Sequence, residues 1–479
     1  MGITVPAIGW FVLPATALLL IFRRDLLLPW ALFLSFFEAA SAVNLVYHRS
    51  PFGVQPGLFG MAVGCLAWLL FKPNYRRMPG SRALQWIAGS FAAFALYALC
   101  SSYLIPHALE GQIYVYPSTR QHALAPLHFY SVNATQDFYV LVVGAGFLLV
   151  AWAVYSSRDG RLWRNLINAL LLGGTVAGLI GLYQQLASGA GLYFPRAFFQ
   201  SNPRYAQANQ YMGALHRLSA SFSEPSFAAF FLSGAVACAL WLALYRKRAP
   251  LAWVTLFTAL PALVLTTSTT AYFALAVLTL VAIASLLLRM NISPRTLAGL
   301  AIIAVVTLVG VGLLLQRSRD VTEVLNGAIL HKAQSVSFSV RHAENVNAWD
   351  VTWQTDGAGV GWGSTRCSSM ALNLLANAGV PGTLALLLCV ALIAVFFRKA
   401  RSSLLPETRA EMDAMAFAVC IMAVAGAAAV PDIMQIPLWV GLAAIAGLSA
   451  RAWEATRARR AALKQAGSLA RAAILAGQR

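Results

Sequence analysis

The chain has 479 residues, of which 59% are hydrophobic and only 11% charged, and it carries a formal net charge of +19. Ordinary soluble domains have about 25% charged residues, and a soluble interior of this size does not hide so many apolar runs near the roughly 20 residues that cross a bilayer. Composition therefore excludes a soluble globular enzyme and predicts an all-α polytopic membrane protein, a bundle of about 13 transmembrane helices.

The predicted spans are 4–22, 26–46, 57–72, 83–105, 137–155, 165–186, 225–245, 250–266, 270–288, 297–315, 369–397, 414–430 and 434–450. The first has no Lys or Arg before Arg23, so it lacks the basic start of a secretory signal. Its positive flank is Arg23-Arg24, which predicts a translocated N-terminus. Alternating from there, the cytoplasmic segments hold 25 of the 35 Lys and Arg but 6 of the 16 acids, so they account for the whole +19. A nucleic-acid binder gathers its bases into a patch or stripe, whereas here they are spread over seven short segments, as topology signals are. Nucleic acid is not an expected partner; membrane lipids are. Residues 1–450 read as one bundle, and 451–479 as a basic amphipathic tail on the anionic inner leaflet.

Glu38 is the one carboxylate deep in a predicted span. It reads either as a functional group, the default for intramembrane acids, or as a protonated acid bonded to a neighbouring helix. Three connections on the translocated side are long: 106–136, 187–224 and 316–368. Long loops in compact folds are usually functional. All seven histidines (His48, His107, His122, His128, His216, His331 and His342) fall on that side, where a group titrating near neutral pH can serve proton chemistry. In the first loop, alternation from Gln112 to Tyr116 predicts a hairpin strand. In the second, Asn202 is a suitable N-cap with Pro203 behind it. Tyr205, Ala208, Met212 and Leu215 follow at helical spacing, predicting an amphipathic helix with Arg204 and Arg217 at its ends.

Chemistry concentrates at two places. His216-Arg217 leads into Ser223-Glu224-Pro225-Ser226 at the start of the seventh span. There Ser223 is expected to cap the helix and Glu224 to complement its dipole. An arginine beside the open N–H groups of a helix start makes an anion site. The third loop carries Arg341-His342, then Gly357, Gly359, Gly361 and Gly363 at alternate positions, then Arg366. Glycines so spaced permit tight turns or close approach to a ligand, but the spacing is neither a Walker loop nor a Rossmann fingerprint. No tight acidic pair offers a divalent cation a cage on this side, so no metal and no cofactor is expected.

Together these segments resemble the O-antigen ligase and Wzy-type polymerase superfamily. The likeness rests on an arginine ahead of a Phe-x-Glu-Pro-Ser span start, a second arginine late in the largest outside loop, a Gly-Val-Gly-x-Gly stretch, and Asn373 through Gly379 to Gly382 in the helix beyond. The polar turn Thr266 to Thr270 also stands where the family has one. The resemblance covers about Arg217 to Gly382 and implies a GT-C-like bundle in a bacterial inner membrane, N-terminus periplasmic and C-terminus cytoplasmic. It further implies glycosyl transfer at the periplasmic face between undecaprenyl-diphosphate-linked glycan donor and acceptor, with a chain-length regulator and a flippase as partner proteins. Arg217 and Arg341 are then diphosphate ligands, because planar, permanently charged forks fit phosphate oxygens. Glu224, His216, His342 and Asp432 stay open as the group that activates the acceptor, with Arg366, Gly361 and Gly363 lining the substrate site. Ligases of the family carry a histidine 11 residues before the glycine that matches Gly379; here that position is Ser368, which tilts the reading from ligase toward polymerase. A flippase for lipid-linked glycan and a non-catalytic assembly scaffold are the competing readings.

Overall fold

The computed structural model describes residues 2–47, 50–71, 81–117, 123–157, 160–203, 210–212, 215–246, 248–289, 298, 301, 304–305, 336–430 and 432–477. The chain is all-α, 76% helical, and the described residues hold seven helices long and apolar enough to cross a membrane and four shorter apolar ones. This is the architecture of a polytopic membrane protein.

In chain order the helices are α1 (Gly9–Phe22), α2 (Leu27–Leu34), α3 (Pro56–Phe71), α4 (Arg82–Ala108), α5 (Ser131–Ser156), α6 (Arg161–Ala190) and the single turn α7 (Arg196–Phe199). After them come α8 (Pro225–Tyr245), α9 (Pro250–Leu265), α10 (Thr269–Arg289), α11 (Val336–Gln354), α12 (Met370–Arg401), α13 (Pro406–Ala429) and α14 (Ile436–Gly477). Three small antiparallel sheets decorate one end of the bundle. They are β1 (Gly2–Thr4) with β2 (Val43–Tyr47) and β3 (Ser50–Val54), β4 (Tyr114–Val115) with β5 (Ala125–Pro126), and β6 (Tyr211–Met212) with β7 (Leu215–His216). The strand expected at Gln112 to Tyr116 is thus present as β4.

Several helices end where the sequence places caps. Ser81 accepts from Leu84 N at 3.2 Å to open α4, and Pro225 stands at the first position of α8. α6 ends on Gly191 in the left-handed region, φ 67°, a conformation glycine adopts without a Cβ penalty. Small residues let helices approach closely. A Cβ on Gly178 of α6 would meet the Thr258 backbone of α9 at 2.7 Å. Nearby, Thr175 and Thr255 share a hydroxyl–hydroxyl bond of 3.0 Å across the same pair of helices.

Four expectations change. The span at 26–46 is the eight-residue α2, an irregular turn, and then β2. Its apolar residues are buried against protein, and the backbone after Leu34 bonds to other segments: Ala39 N donates to Ser221 O and Ala42 N to Val54 O. Hydropathy registers the apolarity and not those partners. Glu38 consequently lies in the turn rather than inside a spanning helix. The amphipathic helix expected after Asn202 is replaced, in its described part, by the β6–β7 hairpin. Asn202 itself is buried and donates to Gly53 O at 3.2 Å; the residues it is expected to cap, 204–209, lie outside the described residues. The basic tail continues the last span as one 42-residue helix, α14. The span expected at 297–315 falls almost entirely outside the described residues.

Contacts sort the connections into two ends. At one end Arg246 and Trp163 both reach Glu411, each at 3.2 Å, Arg401 pairs with Asp413 at 2.7 Å, and Tyr155 bonds Glu454. At the other end Asn202 meets Gly53, Arg217 meets Thr267, and Asn133 meets Trp362. These are the same two groups of loops that alternation from the charges separates.

Candidate functional site

The segment from Arg217 to Glu224 is a non-helical strap between β7 and α8, and tertiary bonds hold nearly every turn of it. Ala220 has φ 51°, unusual for a residue with a Cβ. The Gln184 carboxamide oxygen of α6 collects the successive N–H groups of Ser219 and Ala220 at 3.1 and 2.7 Å. Gln200 Nε2 donates to Ser219 Oγ at 3.2 Å and to Ala220 O at 3.3 Å. Ser221 Oγ donates to Phe36 O at 2.6 Å, and Ser223 N donates to Glu38 Oε2 at 2.7 Å. The strap is therefore sewn to α6 and to the turn after α2, which fixes the position of Arg217 at one end and Glu224 at the other.

Arg217 is half-buried, with its fork spread over three acceptors. Nε donates to Thr267 Oγ1 at 3.3 Å, Nη2 to Thr267 O at 3.4 Å and Nη1 to Gln210 Oε1 at 3.4 Å. Thr267 lies in the polar turn between α9 and α10, in a left-handed conformation at φ 47°. Glu224, at the N-cap of α8, forms an ion pair with Arg341 at 3.7 Å. Ser223 does not cap α8 as expected: Glu224 is the N-cap, its side chain makes no cap bond, and the Ser223 N–H is committed to Glu38.

The two predicted arginines are thus brought together across 124 residues of sequence. Burial, and then the charge of Arg341, lower the proton affinity of Arg217, while Glu224 and Tyr272 pull in the opposite direction. Two guanidinium groups face one ion-paired carboxylate at the start of a helix, whose dipole adds partial positive charge. The patch has a surplus of positive charge in a half-buried setting, where Coulomb interactions are stronger than in water.

The other predicted residues divide. His216 is buried beside Arg196, with Arg196 Nη2 3.5 Å from His216 Nε2; burial and then Arg196 hold its pKa below the ordinary histidine range. His216 ends β7 and Arg217 opens the strap, and the two side chains engage different partners, Arg196 and Thr267. His342 follows Arg341 on α11 but is exposed, its ring stacked parallel to Phe338 with centroids 6.2 Å apart. Asp432 lies in the α13–α14 turn, where its carboxylate accepts from Met434 N at 2.9 Å and Gln435 Nε2 at 3.3 Å. Its pKa is raised, by burial above all, with both of those bonds opposing. Among the described residues no hydrogen bond or ion pair links His342 or Arg366 to the arginine pair.

The glycine run does structural work. Gly357, Gly359, Gly361 and Gly363 all have positive φ, between 78° and 93°. A Cβ on Gly361 would stand 2.6 Å from Ser101 O, and one on Gly363 would stand 2.9 Å from Gln136 Cγ. The close approach the glycines permit is to α4, α5 and, for Gly357 and Gly359, α12. The same loop satisfies a break in α12 at Gly379, φ 60°. Val380 N donates to Gly357 O and Val360 N to Ala376 O, both at 2.8 Å, while Tyr97 Oη of α4 donates to Ala358 O at 2.8 Å. A helix broken at membrane depth needs such protein partners for its freed backbone groups. Arg366 belongs to this fastening: its N–H donates to Tyr116 O at 2.8 Å.

Sequence reasoning missed Glu344, three residues after Arg341 and so on the same helix face. It is buried and accepts from Ser368 Oγ at 3.1 Å, while Asn345 Oδ1 accepts from Ser368 N at 2.9 Å. The i, i+3 spacing was the available signal. Gln210, whose amide oxygen meets Arg217, had none. No group of three or more His, Cys, Asp and Glu arranged to hold a metal ion occurs among the described residues. Compared with family models and with curated proteins, the chain matches none.

Proposed function

We propose that this protein is a membrane glycosyltransferase that joins lipid-diphosphate-linked oligosaccharides at the face of the bundle carrying Arg217 and Arg341. The observation that carries the reading is the convergence of these two arginines beside the α8 N-terminus, with Glu224 as their shared acid. Breaking a sugar–phosphate bond leaves a diphosphate more negative than before. Preorganised cationic forks stabilise that charge as it develops, and one such donor is typically worth about 10²–10³ in rate. Arg217 is held in place before substrate arrives, by Thr267 and Gln210.

Support from sequence is the ordered likeness to the O-antigen ligase and Wzy-type polymerase superfamily, from Arg217 to Gly382. Ser368 occupies the position of the ligase histidine and is engaged with Glu344 and Asn345, which favours polymerisation over transfer to lipid A core or protein. In this reading the substrates are undecaprenyl-diphosphate glycans in a bacterial inner membrane, and the active face is periplasmic. Purified protein in lipid vesicles, given a lipid-diphosphate oligosaccharide, is expected to produce a ladder of longer glycans, lost in Arg217→Ala and Arg341→Ala. An undiminished ladder in both variants would sink the assignment of the arginines.

A further inference from the structure

Arg341 stands in the second turn of α11, and its pairing with Glu224 depends on where that turn is held. We propose that Ser368, gripped by Glu344 and Asn345, is a latch that positions Arg341 against Glu224 for diphosphate binding. These are positioning residues, and their role rests on the glycosyl-transfer reading above.

Ser368 is bound twice by successive residues of α11. Its Oγ donates to Glu344 Oε2 at 3.1 Å, and its N–H donates to Asn345 Oδ1 at 2.9 Å. Glu344 is buried, and a hydroxyl bond to a carboxylate is stronger than one between neutral groups. Both grips come three and four residues after Arg341, about one helical turn, or roughly 5 Å along the axis. Over so short a stretch of helix, a displacement at Ser368 reaches Arg341 almost undiminished. Further along α11, Asn347 Nδ2 donates to Tyr114 O of β4 at 3.1 Å, which holds the helix from a second side.

Ser368 is itself anchored. Its neighbour Ser369 is the N-cap of α12, and Ser369 Oγ donates to Ala427 O of α13 at 2.8 Å. α13 packs along α8, whose N-cap is Glu224. The contacts close a circuit that runs from α8 through α13, the start of α12 and the second turn of α11, then back through Arg341 to Glu224. Ser368 is where that circuit passes from α12 to α11. A misplacement of about 1 Å at a reacting centre can cost about 10²-fold, so a fixed link there matters to the arginine it orients.

The test is a double-mutant cycle on whole protein in vesicles, read by the affinity for a polyprenyl diphosphate, the leaving group of the proposed reaction. Asn345→Ala with Ser368→Ala opens the latch. Affinity is expected to fall about tenfold, as for one misplaced charged donor. In an Arg341→Ala background the same pair is expected to change affinity by less than about threefold, because the residue it positions is gone. Ser368→Thr keeps both the hydroxyl and the N–H, and is expected to bind within about threefold of wild type. Ser368→Ala alone keeps the N–H bond to Asn345, should weaken binding less than the pair does, and carries the same cycle if the pair fails to fold. Equal weakening with and without Arg341 shows a purely structural role and overturns the latch, as does no weakening at all. Wild-type protein that binds the diphosphate yet forms no glycosidic bond from a lipid-diphosphate oligosaccharide overturns the transferase reading instead, and the binding cycle still decides the latch.

Discussion

Replacing Arg217 by lysine and by alanine separates charge from shape. The guanidinium spans Thr267 Oγ1, Thr267 O and Gln210 Oε1 at 3.3, 3.4 and 3.4 Å. These are long bonds, at the weak end near 0.5 kcal/mol each, so losing the fork while keeping the charge costs at most about 1.5 kcal/mol, or about tenfold in rate. Alanine removes the cation too, and the expected loss is about 10²–10³. Folding is expected to survive both changes, since a half-buried charge facing Arg341 adds little net stability. The assay is the transfer rate in vesicles at saturating donor, with circular dichroism and a melting curve on the same preparations. Equal rates for the lysine and alanine variants, or wild-type rates for both, would refute the idea that a preorganised guanidinium meets developing negative charge.

Other outcomes follow from individual residues. Glu38 has a folded pKa of about 7 against an ordinary value of 4.5, so the folded state binds the extra proton and stability falls as pH rises between those values. The fall is on the order of 3 kcal/mol at most, and the Glu38→Gln melting temperature should lack it. A melting temperature for wild type that is flat or rising from pH 5 to 8 relative to glutamine contradicts the burial argument. Gly361→Ala places a Cβ at φ 93° and 2.6 Å from Ser101 O, which is expected to cost about 1–3 kcal/mol from backbone strain alone. The remaining folded protein should bind donor normally, as isothermal titration would check. Asn133→Ala removes an amide that donates to Trp362 O and Ser364 Oγ, both at 2.8 Å. An expected loss of about 1–3 kcal/mol should appear as a lower melting temperature, with Arg217-dependent transfer intact in the folded fraction.

Much of this molecule was legible because helix starts and charges are local signals. Pro225 marks the first turn of α8, and the basic clusters at Arg246 and Arg401 mark an end of the bundle where they find Glu411 and Asp413. The turn around Glu38 was not legible: Ser35 to Ala42 sits inside an apolar run of span length, and its bonds to Ser221, Ser223 and Val54 are long-range. The hairpin at Tyr211 to His216 was hidden by an accidental helical spacing of apolar residues. At the site, the arginines were visible as residues, but their meeting depends on α11 reaching the start of α8. The glycine run was visible too, yet its partners on α4, α5 and the broken α12 lie more than a hundred residues upstream or just downstream, so its fastening role emerges only in three dimensions.

The most direct measurement counts the leaving group. In a single turnover with protein in vesicles, lipid-diphosphate oligosaccharide should yield one free lipid diphosphate for each new glycosidic bond, and Arg217→Ala should reduce both together. Movement of intact lipid-linked glycan between leaflets, with no diphosphate released and no longer glycan formed, would contradict the account and identify a transporter instead.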